Sequence, residues 1–417
     1  MINKSILVAD FGSYTTMLPA LVKHFTKVGY FCVSDSSYPR SASTVIGKGI
    51  EGVTHELKFF DVVDDYDIIA FFDCRSDDLQ EYLRSKGKQV WGAGKGVELE
   101  LDRYYGNNIL KEVGLPSVKM ERIIGIDNLR KFLKEHDDIY VKTNHRGDYE
   151  SFHSENYKLI EPQLDLLEKD LGMFKNEYEF ICCYPIDGED IVEVGSDSIY
   201  IDGQYPKTLM YGYEVKDCGL IARIKNRNLI SKIITEPLDK LSPVMDEYKY
   251  RGFFSTEIRV GKDKKPYLTD YTCRASSPCS ELYSEMMENL GEVIDKGSQG
   301  IFVEPIYKAK YGVEAIIHAP FAETNWQPIY YPKSIKDYVK LKHWTVINDV
   351  NYYVYDGETN MVEVGAVVAW DDTLNGAIKK LNEYSKQVEG FKIHINTESM
   401  DKAQEIISRG NKLGITL

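Results

Sequence analysis

The sequence predicts a multidomain protein of mixed α/β and α+β class, with a parallel α/β domain at the N-terminus and an α+β domain at the C-terminus. Three observations predict it. Over residues 1–100 short apolar runs alternate with segments of helical spacing, the pattern of a parallel sheet. From 191 to 305 the runs are separated by turn residues, such as Asp202-Gly203, that mark antiparallel hairpins. A chain of 417 residues is too long for one core and long enough for two to four domains. The expected division is 1–100, then 101–305 with a smaller part at about 117–185 and a larger part at 186–305, then 306–417.

Taken in order, residues 5–9 form an apolar strand, residues 10–16 a turn, and 17–28 a helix. Strands follow at 30–34, 66–72 and 89–91, with a helix at 78–86. In parallel sheets ligands bind beyond the carboxyl ends of strands, which makes the Gly12-Ser13 loop a small-molecule contact to consider, although a plain strand–helix turn explains it as well. Gly92-Ala93-Gly94-Lys95-Gly96 is glycine-rich but lacks the spacing of a Walker loop, and reads as a linker into a helix at 98–113 that Pro116 closes. Strands at 118–124 and 139–143 flank a helix at 126–135. Lys142 lies within the second strand, and the polar run 144–152 follows it. A helix at 161–171 leads to the apolar strand 180–185, and 186–190 is an acidic turn. The C-terminal part carries a hairpin around Asp356-Gly357 and helices at 373–387 and 399–409.

The densest chemistry lies at 252–278. The residues read as a strand at 253–260, a turn over Gly261 to Pro266, and a strand at 267–273. Alternation puts Asp270, Thr272 and Arg274 on one face, with Glu257 placed to face Asp270 across the hairpin. Two carboxylates suit Mg²⁺, which takes oxygen ligands and completes its shell with water and phosphate. A guanidinium beside them suits a phosphate or carboxylate. A solvated sheet face with paired charges produces the same residues. Likewise Lys142, at a strand end before a polar loop, suits a phosphate clamp, and a surface lysine beside a turn fits equally.

Composition narrows the function classes. Hydrophobic residues make up 43% and charged residues 28%, the balance of a water-soluble globular chain. The apolar runs are strand-length, so no membrane span is expected, and the N-terminus shows no secretory pattern. A net charge of −14 without a basic block disfavours nucleic acid as a partner. Seven cysteines, an odd number with no Cys-x-x-Cys pair, point to a reducing, cytoplasmic setting and away from zinc. None of the eight histidines forms a His-x-x-x-His pair.

Four places, in this order, resemble the ATP-grasp superfamily and, within it, the phosphoribosylamine–glycine ligases. They are Gly92 to Ser117, where a helix ends in Leu115-Pro116-Ser117; Ile139-Tyr140-Val141-Lys142; Phe180 through Asp190; and Glu257 with Asp270-x-Thr272-x-Arg274. The run 365–374 and its following helix resemble that family's end domain. The resemblance implies ATP and Mg²⁺ as cofactors, small-molecule carboxylate and amine substrates, and a ligation through an acylphosphate. It implies that Lys142, Arg146 and Lys216 hold the nucleotide's phosphate side and that Cys182, Cys183 and Tyr184 surround the base. Glu189 or Asp190 would accept from the ribose. Glu257, Asp270 and Thr272 would bind the metal, and Arg274 the acylphosphate or substrate carboxylate, with the loop at 146–148 as a lid. The family has Glu and Asn where Asp270 and Thr272 stand, and an acidic run where Ala275-Ser276-Ser277-Pro278 stands. Those departures set against transfer of the family's own substrate, and they leave open a second reading, a nucleotide-binding protein without ligase activity.

Overall fold

The computed structural model describes residues 1–33, 42–143, 151–186, 192–215, 218–261, 263–357, 362–397 and 403–417. The chain divides into two compact units. The first comprises 1–96, 194–255 and 272–417, and the second 97–193 and 256–271. The strands Val192–Ile201, Arg251–Val260 and Pro266–Thr272 run through the division, so each unit is described by its own residues.

The first unit opens with strands β1 (Ile2–Asp10), β2 (Phe25–Cys32), β3 (Val53–Glu56), β4 (Ile68–Ala70) and β5 (Gln89–Trp91), in the order β3-β2-β1-β4-β5. All pairings are parallel. The helix expected over 17–28 is short, a 3₁₀ turn at Ser13–Met17 and a helix at Leu18–Val22. The segment after it becomes β2 because Phe25, Val28, Tyr30 and Cys32 bury their side chains in the main core, where a parallel partner satisfies the backbone. The rest of the unit is an antiparallel sheet through Val192–Ile201, Thr208–Val215, Gly219–Asn226, Tyr311–His318, Glu363–Asp371 and Val339–Leu341. A small sheet of Gln327–Ile329, Val350–Tyr353 and Trp344–Ile347 joins it.

The second unit holds strands β6 (Met120–Ile124), β7 (Ile139–Thr143), β8 (Phe152–Ser154) and β9 (Glu179–Cys183), in the antiparallel order β6-β9-β7-β8. Two amphipathic helices, Ile126–Glu135 and Tyr157–Leu171, cover one face. Ile126, Leu129 and Leu133 from the first and Ile160, Leu164 and Leu167 from the second pack on Ile139, Val141, Phe180 and Cys182. The other face carries Ile181 and Cys183 with Met120, Tyr140 and Ile186. One face is thus spent on stability, and the second is left to line a cleft.

The helix expected at 98–113 is two helices, Glu98–Leu101 and Arg103–Glu112. Asp102 breaks it with φ −103 and ψ 89, and its carboxylate accepts from the amide of Tyr105 at 2.9 Å as an N-cap. The restart places Arg103 at the first helical position. Gly106 then allows the helix close to the hairpin: Tyr271 Oη donates to the Gly106 carbonyl at 2.9 Å. A Cβ at 106 would lie 2.4 Å from the Leu99 carbonyl oxygen and 2.9 Å from the Tyr271 ring. Among the described residues no helix is long and apolar enough to cross a membrane, and no disulfide forms.

Gly106→Ala sets two magnitudes against each other. Helix propensity favours alanine by about 1 kcal/mol, whereas overpacking costs about 1–3 kcal/mol. Because the nearest obstacle is backbone, the second should win. Urea unfolding should show a net loss of stability, and a gain would contradict the packing described here.

Candidate nucleotide and metal site

Register across the β6-β9-β7 sheet sets the side chains that line the cleft of the second unit. Met120, Cys183 and Tyr140 are paired in one row, and Arg122, Ile181 and Lys142 in the next. Alternation sends Tyr140 and Lys142 away from the helices while Ile139, Val141 and Thr143 are buried against them. The chain leaves β9 through Tyr184, Pro185 and Ile186. The Tyr184 amide donates to the Lys119 carbonyl at 3.0 Å, and Lys119 Nζ sits 3.8 Å from the Tyr184 ring centre. The cleft encloses about 580 Å³, part of it open to solvent. Val118, Met120, Tyr184, Pro185 and Ile186 contribute its less polar lining, and Lys142, Glu257, Arg259 and Asp270 its charged lining.

Asp270 is the electrostatic centre. Lys142 Nζ donates to Oδ2 at 2.5 Å, and Arg103 Nη1 donates to Oδ1. Burial pushes the Asp270 carboxyl up, but Lys142 and Arg103 outweigh it and hold it below the ordinary value. Glu257 is treated differently. Thr269 Oγ1 donates to its Oε1 at 2.9 Å, and Arg259 Nε lies 3.7 Å from the same oxygen. Arg259 is itself tied to Glu193, through Nε at 3.0 Å and Nη2 at 2.9 Å. Burial, then the charges of Asp270 and Glu193, push the Glu257 carboxyl up to about 7, against the pull of Lys142 and Thr269.

These residues fit a hard divalent cation that brings other ligands with it. The two carboxylates offer oxygen donors of the kind Mg²⁺ takes. Among the described residues no cluster of three or more His, Cys, Asp or Glu side chains is placed to hold a metal, so phosphate and water would complete the shell.

The sequence-expected residues fall into three groups. Lys142, Cys183, Tyr184, Glu257 and Asp270 all line the one cleft. Cys182 points the other way, into the core under the helices, because it alternates with Cys183. Arg146, Glu189, Asp190 and Lys216 lie outside the described residues. Thr272 and Arg274 belong to the first unit, where Arg274 Nη1 lies 3.3 Å from both Tyr14 Oη and the Ala275 carbonyl.

Sequence reasoning missed Arg103 and Thr269. Arg103 is 167 positions from Asp270. The one available signal was Asp102, whose type suits a helix start. Thr269 was missed because strict alternation fails along Pro266–Thr272. Leu268 and Tyr271 are buried, while Thr269 and Asp270, side by side, are both partly exposed, and both line the cleft. The hydroxyl facing Glu257 therefore comes from Thr269.

In the first unit the Gly12-Ser13 loop is already committed. Asp10, buried at the end of β1, accepts from the amides of Gly12 at 3.1 Å and Tyr14 at 2.6 Å and from Tyr30 Oη at 2.5 Å. Burial raises its carboxyl to about 6. Gly12 has φ 100, and a Cβ there would lie 2.9 Å from the His343 ring.

No family model matches the chain, and no curated protein matches it. Solved structures do. Phosphoribosylamine–glycine ligase from Thermotoga maritima superposes with a TM-score of 0.71 at 16% identity, over 94% of this chain and 98% of that one. Biotin carboxylase from Campylobacter jejuni, solved as a β,γ-ATP complex, follows at 0.67 and 15%, over 97% and 96%. The biotin carboxylase domain of the 2-oxoglutarate carboxylase of Hydrogenobacter thermophilus, solved with MgADP, ADP and bicarbonate, gives 0.65 at 11%, over 99% of each. At such identities the likeness is one of fold: the chain has the ATP-grasp fold.

A pH test follows from Glu257. A carboxyl raised to about 7 in the folded protein, from about 4.3 when unfolded, stabilises the fold fully below the lower value. That contribution is lost as pH rises through 7. Glu257→Gln stays neutral throughout, so its melting temperature relative to the native protein should climb from pH 5 to pH 8, by about 2–4 °C for each kcal/mol. Parallel pH profiles would contradict the raised carboxyl.

Proposed function

We propose that this chain is an ATP- and Mg²⁺-dependent ligase that joins a small-molecule carboxylate to an amine through an acylphosphate. The observation that carries the reading is the pair of cations, Lys142 and Arg103, gathered on Asp270, a residue that lines one cleft together with Lys142 and Glu257. Phosphoryl transfer asks little of a protein beyond position and charge: cations on the phosphate oxygens and hard oxygen ligands for a metal. The sheet register supports the same orientation. Extending the Met120–Cys183 pairing puts Val118 beside Pro185, which gives a base its apolar wall, and Lys142 lies one row past Cys183 in the opposite direction. The nucleotides in the two biotin carboxylase structures support it as well.

In this reading Lys142 and Arg103 hold the phosphates, and Cys183, Tyr184 and Ile186 border the base. Glu257 and Asp270 would hold Mg²⁺, whose charge would offset that of the transferring phosphoryl group, and Thr272 keeps the assisting role that the sequence resemblance implies. The carboxylate oxygen of the acid takes the γ-phosphoryl of ATP, releasing ADP. The amine then attacks the acyl carbon, and phosphate leaves with the bonding electrons. Arg274 binds the carboxylate of the acid, a planar bidentate role that suits guanidinium. Arg146, Lys216 and Glu189 or Asp190 keep the phosphate and ribose roles that the sequence resemblance implies. Glycine and phosphoribosylamine are not carried over as substrates, since Ala275-Ser276-Ser277-Pro278 stands where the resembled family has an acidic run, and Ser276 and Ser277 direct their hydroxyls to Asp197 and Glu281 of their own unit at 2.7 and 2.9 Å.

Calorimetry with ATP and Mg²⁺, paired with ADP release over pooled acids and amines, tests the proposal. Lys142→Met should weaken ATP binding about 10–100-fold, the loss of a charged hydrogen bond. Asp270→Asn should abolish ADP release with the fold intact. Nucleotide binding with no turnover in any pool would favour a non-ligating nucleotide-binding protein, and no binding at all would remove the ATP site.

A further inference from the structure

We infer that the exposed aromatic cluster of Phe321, Trp326, Tyr330 and Phe391, in the first unit, is an interface with a second copy of this chain. No residue of the nucleotide cleft takes part in it.

Backbone bonds gather the four rings. The strand Gln327–Ile329 buries Gln327 and Ile329, so alternation turns Trp326, Pro328 and Tyr330 outward. Asn325 Nδ2 donates to the Phe321 carbonyl at 3.2 Å, closing the turn between Phe321 and Trp326. Tyr330 and Glu389 exchange backbone hydrogen bonds at 2.8 Å. Two residues further on, Phe391 meets Phe321 edge to face, with ring centres 5.2 Å apart. The four residues nevertheless stay 37%, 40%, 50% and 56% exposed, in chain order. At about 150–250 Å² per ring, about 300–450 Å² of aromatic surface is left in water. An interface of standard size buries about 800 Å² on each partner, with aromatic residues at its centre and charge at its rim. The cluster is of the size and kind of such a centre.

The rim decides the occupant. Lys392 follows Phe391, with its Nζ 5.4 Å from that ring's centre, and Glu323 lies two positions past Phe321. Glu389 is bonded to Tyr330, and Lys333 lies three positions beyond it. All four are exposed, and among the described residues none forms an ion pair. A lipid surface would call for an excess of base. A partner of one dominant charge would call for the other sign. Two acids and two bases suit a surface that meets its own copy, because a two-fold axis requires each acid to find a base on the same patch. An axis through the Phe321–Phe391 contact brings Lys392 of each protomer to Glu323 of its partner.

Sedimentation velocity of the full chain, up to about 100 μM, reads the association, since interfaces of this size range from micromolar to picomolar. The native protein should form a dimer. Phe391→Asp and Trp326→Ser should each raise its dissociation constant about 30-fold or more, the loss of a central aromatic anchor. Phe391 is the most exposed of the four, so its replacement disturbs the fold least. Phe60→Ser, at a ring 70% exposed outside the cluster, should leave the dimer unchanged. Glu323→Lys and Lys392→Glu should each weaken self-association, and an equimolar mixture of the two variants should restore it, because only the mixed dimer pairs opposite charges. A monomer at every concentration overturns the interface. If that monomer sediments with vesicles of mixed neutral and anionic lipid, the rings belong to a membrane contact instead. A dimer that Phe391→Asp and Trp326→Ser leave intact also overturns it, since another surface then holds the copies. A mixture that fails to recover overturns the two-fold pairing of Lys392 with Glu323.

Discussion

A carboxylate partly withdrawn from water is held ionised by cations brought to it, and the second unit brings two to Asp270. Lys142 comes from a strand whose alternate residues are buried under helices, so its own direction is set by packing on the far face. Arg103 comes from a helix that begins where Asp102 caps it and lies close to the hairpin because position 106 lacks a side chain. The Tyr271–Gly106 hydrogen bond ties that helix to the strand that carries Asp270. Remote, ordinary features of packing and capping thus converge on one ion triad.

The two carboxylates of the cleft are made unlike by their neighbours. Asp270 has two cations in contact and is held ionised. Glu257 has a hydroxyl in contact, a guanidinium shared with Glu193 and a like charge in Asp270, and its proton affinity rises. The cations on Asp270 favour its ionised form, while burial beside Asp270 and Glu193 favours the protonated form of Glu257, so one cleft holds two carboxylates of different charge near neutral pH.

Much of this was legible in the chain. Period-two patterning located Lys142 and the hairpin, and helical spacing located the two covering helices of the second unit. The order of the four motifs pointed to the ATP-grasp fold that the solved structures share. The failures have physical causes. Alternation is a rule for regular strands, and it gave way at Thr269–Asp270, so Thr269, whose hydroxyl reaches Glu257, was not singled out beside Asp270. Helical spacing ran through Asp102 without a break, since a cap residue leaves the apolar period on both sides intact. The segment at 25–32 carries apolar residues at spacings that suit either period, and a parallel neighbour decided for strand. Contacts such as Arg103–Asp270 join residues far apart in sequence, and neither periodicity nor spacing carries information about them.

A fold shared at 16% identity over nearly the whole chain rests on pattern more than on particular residues. Strands need only alternate, and the cleft face tolerates Cys183 or Met120 wherever a flat apolar surface serves. The charged positions leave less freedom: an aspartate such as Asp270 reaches one methylene less far than a glutamate would, so its partners must come to it. In this chain that shorter side chain is met by an arginine at the helix start and a lysine from β7, so the ion triad closes. Beyond Arg274, Ser276 and Ser277 turn their hydroxyls to Asp197 and Glu281 of their own unit. In each case a polar side chain is held by the partner that packing brings to it, and that partner, more than the identity of the apolar residues around it, is what the local geometry requires.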